Sequence, residues 1–175
     1  MKTPLVFSLF FLFSIVSCFG QECEKQTDPF SNEKVTTFEW KAGGIRTLFM
    51  ESRNGKSTLE FRVGEFGAIE YTIQAGSVVQ IKLENGEIIK MRTLFETKSV
   101  VSSTSFSESS NVVSSTYFIK TEITDDQLKK LATSKVTHMQ FPDLHGGLQT
   151  YSSKELRNKF ERFLMEGAKC LTENN

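Results

Sequence analysis

Few side chains in this 175-residue chain have types and spacings that could do chemistry. His138 and His145 are its two histidines, and Asp143 lies between them. Imidazoles beside a carboxylate are the raw material of a metal or acid–base centre. Zinc sites, however, are built from three or four ligands at recognised spacings, and no third histidine exists. The expectation is therefore no metal site and no cofactor, with both histidines on a surface or in a loop. Carboxylates are plentiful. Asp125 and Asp126 sit where a helix begins and favour its dipole. Glu65, Glu70, Glu84 and Glu87 fall at or near positions expected to be wet. A glycoside hydrolase needs two carboxylates held at a set separation, which a sequence does not define.

His145-Gly146-Gly147 is similar to the oxyanion loop of esterases, but no G-x-S-x-G elbow exists to complete it. The simpler expectation is a glycine turn joining a strand to a helix. No glycine-rich phosphate loop is present. Trp40, Phe38 and Tyr71 could line a ligand pocket. They share one apolar face with their neighbours, so core packing is the expected use.

The N-terminus carries the three-part pattern of a secretory signal: Lys2, an apolar run from Leu5 to Val16, then Ser17, Cys18 and Gly20. The run is shorter than the about 20 apolar residues a membrane-spanning helix needs. Two cleavage readings stand. Cleavage after Gly20 leaves Gln21 first; cleavage before Cys18, at a sequence similar to a bacterial lipobox, leaves Cys18 to carry a lipid. Either way Cys23 and Cys170 remain, an even count in an oxidising compartment, and a disulfide between them is expected. The localisation implied is extracytoplasmic: secreted, periplasmic or lipid-anchored to the envelope.

Removing residues 1–20 leaves about 155, one ordinary domain. Lys2 is the one charge lost from a chain of 21 basic and 21 acidic residues, so the remainder is close to neutral. With no basic excess to hold phosphates, nucleic acid is not an expected partner.

The elements that must position these residues are read from periodicity. Residues 21–33 are polar and contain Pro29, and they read as a leader into a single domain spanning 34–171. Period-two alternation then predicts six strands, at about 34–41, 45–53, 56–63, 67–73, 77–84 and 87–95. Asn54-Gly55 is a two-residue hairpin turn that sets Met50 opposite Leu59 and Leu48 opposite Phe61. A three-residue loop at 42–44 sets Phe38 opposite Leu48. A loop at 74–76, with Gly76 left-handed, sets Tyr71 opposite Val79. One at 84–86 sets Ile81 opposite Ile89 and Val79 opposite Met91. Residues 99–116, rich in Ser and Thr, read either as a mobile loop or as a hairpin turning near Ser109-Ser110. The hairpin is favoured, with Phe106 opposite Val113 and Val100 opposite Ile119, because Tyr117, Ile119, Thr121 and Ile123 then alternate cleanly.

Thr124 and Gln127 form a capping box for a short helix with Leu128, Leu131 and Ala132 inward. Val136–Phe141 is a strand ended by Pro142, and Asp143 to Gly147 a loop. Ser152 and Glu155 form a second capping box for a helix at 153–170, whose apolar stripe is Leu156, Phe160, Phe163, Leu164 and Leu171. Residues 172–175 are a tail.

The fold class expected is α+β and mainly antiparallel β: a curved up-and-down meander of seven to nine strands with a long C-terminal helix packed on it. That layout resembles lipocalin-type barrels. The Gly-x-Trp motif of that family is absent, since Phe38 stands two residues before Trp40, and the helix at 125–133 is extra to the family's pattern. The resemblance implies a small apolar ligand carrier using the concave face of the meander, and it assigns no binding residues. The reading favoured on the residues themselves is a non-enzymatic secreted or envelope protein that binds a partner, protein or small molecule, or supports a surface assembly. A hydrolase with unrecognised carboxylates is the weaker alternative.

Overall fold

A computed structural model describes residues 21–42, 45–107, 110–142, 147–152 and 157–173. The signal segment with Cys18, the Gly43-Gly44 pair, Ser109, Asp143, His145 and Glu155 lie outside the described residues. Twelve strands and two helices follow one another: β1 (Gln21–Thr27), β2 (Lys34–Ala42), β3 (Ile45–Arg53), β4 (Lys56–Phe66), β5 (Thr72–Ile73), β6 (Val78–Leu83), β7 (Ile88–Arg92), β8 (Thr97–Lys98), β9 (Val100–Ser107), β10 (Ser110–Ile123), α1 (Asp125–Thr133), β11 (Val136–Pro142), β12 (Leu148–Ser152) and α2 (Arg157–Thr172).

The chain is mainly antiparallel sheet with a C-terminal helix, as expected. It is not one meander, and the sheets do not close into a barrel. A six-stranded sheet has the order β1-β2-β3-β4-β10-β9, a four-stranded sheet the order β12-β11-β6-β7, and β5 pairs with β8. The meander runs from β1 to β4 and then breaks. The expected strand at 67–73 shrinks to Thr72-Ile73, and Tyr71 does not pair with Val79. The cause is β10. Its inward row of Ser115, Tyr117, Ile119, Thr121 and Ile123 is fully buried, and it pairs with β4 all the way from Ile123↔Ser57 to Ser114↔Phe66. A long strand with a fully buried inward face outcompetes the short 67–73 segment for the open edge of β4.

Registers set by tight turns survive. Met50↔Leu59 and Leu48↔Phe61 flank the Asn54-Gly55 turn, whose two residues have φ of 50° and 73°. That left-handed pair matches the twist of the strands, and glycine adopts it without penalty. Ile81↔Ile89 and Val79↔Met91 also hold. The β2–β3 register differs from expectation by two residues: Phe38 faces Met50 and Trp40 faces Leu48, with a bulge between Trp40 and Lys41. A two-residue slip preserves the buried face, so the pattern could not distinguish the two. The β9–β10 hairpin is present, but with Val100 opposite Thr116 rather than Ile119. That odd offset reverses the face of β9. Three strands were not expected: the two-residue β8, which pairs with β5, and two longer ones. Gln21–Thr27, read as a leader, pairs with β2, and Leu148–Ser152 pairs with β11.

The two larger sheets meet at β10, through Thr93↔Thr121 and Leu94 N donating to Lys120 O (2.8 Å). Their inner faces share one core. Phe61 meets Phe141 edge-on (5.3 Å between centroids), and Tyr117 Oη donates to Pro142 O (2.9 Å). The capping box of α1 forms as expected, and Leu128, Leu131 and Ala132 are buried. On α2, Phe160, Phe163, Leu164 and Leu171 are buried, as expected of the stripe. Each such side chain contributes about 1.5–3 kcal/mol when fully buried. Gly167 lets α2 approach the sheet closely: a Cβ there would lie 2.5 Å from Met50 Sδ and 2.8 Å from Phe38 Cδ1. Cys23 on β1 and Cys170 on α2 are bonded, with sulfurs 2.05 Å and Cα atoms 5.9 Å apart.

Candidate functional site

His138 is exposed on β11, across from Lys82 on β6 and Ser152 on β12. Among the described residues no three His, Cys, Asp or Glu side chains gather into a metal-binding group. The depression beside His138, about 240 Å3, is lined by Gln80, Gln140 and Thr150 among others. Its polar groups are engaged with one another: Gln80 Nε2 donates to Gln140 Oε1 (2.9 Å), and Gln140 Nε2 donates to Thr150 Oγ1 (3.0 Å). That chain of bonds ties three strands together.

The carboxylates are dispersed. Glu65 is on β4, Glu70 in the connection after it, and Glu84 and Glu87 in the β6–β7 turn. Glu87 is held below the usual carboxylate range by a hydrogen bond from Asn85 and by the Lys130 ammonium. Lys130, 3.2 Å from Glu87 and 3.4 Å from Asp126, is raised in turn, chiefly by its bond to Glu87. These groups act as structural ion pairs. The aromatics pack inward: Phe38 is buried, Tyr71 is packed against the core, and Trp40 lies 4.2 Å from Phe163 and 6.2 Å from Phe160 between centroids.

A second electrostatic cluster closes the β1–β2 end of the large sheet. Arg53 Nη1 donates to Asp28 (2.9 Å) and Glu33 (3.2 Å), its Nε lies 3.5 Å from Glu51, and Asn54 Nδ2 donates to Glu33. The Arg53 hydrogen bond, followed by those from the Phe30 and Ser31 backbone, lowers Asp28 from 3.8 to about 2. The same bond raises Arg53.

The other end of that sheet is different in kind. Residues directly opposite in an antiparallel pair share a face. Phe66 on β4, Phe118 on β10 and Val100 on β9 therefore lie on the outer face together, around Gly64 and Thr116. They are 84%, 40% and 66% exposed. The neighbouring polar groups bond locally: Arg62 Nη2 donates to Thr116 Oγ1 (3.1 Å), and the Ser102 and Ser114 hydroxyls are 3.3 Å apart. Beyond this patch β9 ends the sheet. From Ser99 to Ser107 it carries neither a charge nor a proline.

These residues were not singled out from the sequence, although a signal existed. Phe118 stands on the polar phase of an alternation whose apolar phase is Tyr117, Ile119 and Ile123. An aromatic out of phase has no place in the core. No protein-family model, curated protein or solved structure matches this chain.

Proposed function

We propose that this is a non-enzymatic extracytoplasmic binding module that accepts a strand of a protein partner along β9, with the outer apolar patch seating the partner's side chains. The observation that carries this reading is the bare edge. Natural sheets protect their edges with charges, prolines, bulges or very short strands. β9 is eight residues long and has none of the first two within it, and its one register shift lies at its far end, between Ser105 and Ser107. Val100, Phe118 and Phe66, set around Gly64 and Thr116, add exposed apolar surface on the outer face beside it, and exposed apolar surface of this kind marks interaction sites. Edge-strand addition supplies affinity through the main chain and specificity through alternate side chains. The compartment is supported by the N-terminal signal pattern and by the Cys23–Cys170 bond, since disulfides persist in oxidising surroundings. The binding reading is favoured over a ligand carrier because the inner sheet faces are filled by Phe160, Phe163, Leu128, Leu131 and their neighbours.

A photo-crosslinking residue placed at Phe118, compared with one at Glu24 on the opposite edge strand, tests the reading in the native cell envelope. A discrete protein adduct at Phe118 and none at Glu24 is expected. Equal adducts at both sites, or none at Phe118, would refute it. Phe118→Ser should abolish partner binding while shifting stability by less than about 0.5 kcal/mol, as exposed substitutions do.

A further inference from the structure

Resting on the reading of β9 as an open acceptor edge, we infer that the strand it accepts is β9 of a second copy, giving a two-fold dimer in which the two six-stranded sheets run on edge to edge. The first argument is charge. A strand laid antiparallel against itself brings like residues near the two-fold axis, and directly opposed like charges are unfavourable. β9 is neutral throughout, so self-pairing brings no such conflict. The other edges are less suited. β1 carries Glu22, Glu24 and Lys25, and β7 carries Lys90 and Arg92, with Thr93 just beyond it bridged to Thr121. β12 is neutral but five residues long, and short edges are a form of protection.

The second argument is register. An axis normal to the sheet keeps each copy's outer face outward, so opposed residues must have the same parity along the strand. Centring the axis on Ser103 places Ser103 opposite itself and Val101 opposite Ser105. That register pairs Val101 to Ser105 of each copy, the stretch that precedes the register shift of β9 between Ser105 and Ser107. It sets Val100 at either end of the junction, on the same outer face as exposed Phe66 and Phe118. The patch of each copy then lies beside the junction; the outer face also carries one aromatic farther away, Phe49 on β3 opposite Glu39 and Glu60. On the β2–β3 side the same outer face carries Glu39, Lys41 and Glu51.

Sedimentation equilibrium of the oxidised protein tests the inference, with a charge placed at the axis. The expected result is a dimer of the native chain. Ser103→Lys alone and Ser103→Asp alone should each weaken it by on the order of 100-fold, because like charges are then directly apposed. An equimolar mixture of the two variants should regain the dimer, which a misfolded variant could not do. A native chain that stays monomeric at high concentration, or a dimer that either variant leaves intact, overturns the inference. A labelled peptide with the sequence of residues 100–107 separates the two readings. Binding of that peptide by a monomeric chain, with protection of the β9 amides from exchange, would overturn self-pairing and keep β9 as an acceptor edge. Absence of binding by a monomeric chain would overturn both.

Discussion

The six-stranded sheet ends in two unlike edges. β1 is charged and bonded through Cys23 to α2, and the loop that follows it is tied to β3 by Arg53. β9 is neutral, ends the sheet, is tied at its start where Ser99 bonds to Ile69 and Tyr71, and adjoins exposed Phe66, Val100 and Phe118. Both strands pair with one neighbour along most of their length. The difference teaches that a sheet edge can be finished within its own chain or left for another. Charge and covalent attachment do the first at β1. The second is the role proposed for β9.

The largest effect should come from making the two edges alike. Replacing Cys23 and Cys170 with serine removes the staple from β1. It should cost about 2–5 kcal/mol in denaturant unfolding, the usual range for loss of a native disulfide from a small domain. Amide exchange along β1 should rise towards that of β9. If β1 remains as protected as before, its ladder with β2 rather than the disulfide holds the edge.

A smaller loss should follow from lifting the helix that anchors β1. Gly167→Ala places a methyl against buried Met50 and Phe38. Overpacking of this kind costs about 1–3 kcal/mol, and alanine recovers about 1 kcal/mol of it through helix propensity. A net loss by thermal or denaturant unfolding is expected, and a gain would mean that α2 can shift outward freely. Outcomes at β9 should not change in either case.

The smallest effect is electrostatic. Asp28 has a folded pKa of about 2, below its ordinary 3.8. Its contribution is therefore present above about pH 4 and lost as pH falls through 2. Asp28→Asn should remove that part of the acid dependence, so that its stability profile between pH 4 and 2 is flatter than the native one. Identical slopes would show that Arg53 gains nothing from Asp28 and that the β1–β2 loop is held by the backbone alone.

Much of this was legible in the chain. Asn54-Gly55 and the 84–86 turn each define a register locally, and both hold. The inward row of β10, the capping box of α1 and the stripe of α2 are likewise local patterns with one reading. The bare edge is legible too, since neutrality from Ser99 to Ser107 and an out-of-phase Phe118 are properties of the sequence. What the pattern lacked was position. A neutral Ser/Thr-rich strand is an acceptor at the end of a sheet and ordinary in its middle. β1 escaped notice because a charged edge strand lacks the alternation by which strands are recognised.

By itself, then, the sequence determined most of the buried positions outside β9, where the tight turns fall, and that Cys23 and Cys170 should be expected as a pair. These follow from side-chain polarity, backbone freedom and cysteine count, which act over a few residues or none. The tertiary structure alone decided that β4 takes β10 as its neighbour, that the sheets remain open, and that β9 rather than β5 ends the larger one. Those choices are competitions between distant segments for the same row of hydrogen-bonding groups, and the winner is the segment that buries the longest complete inward face.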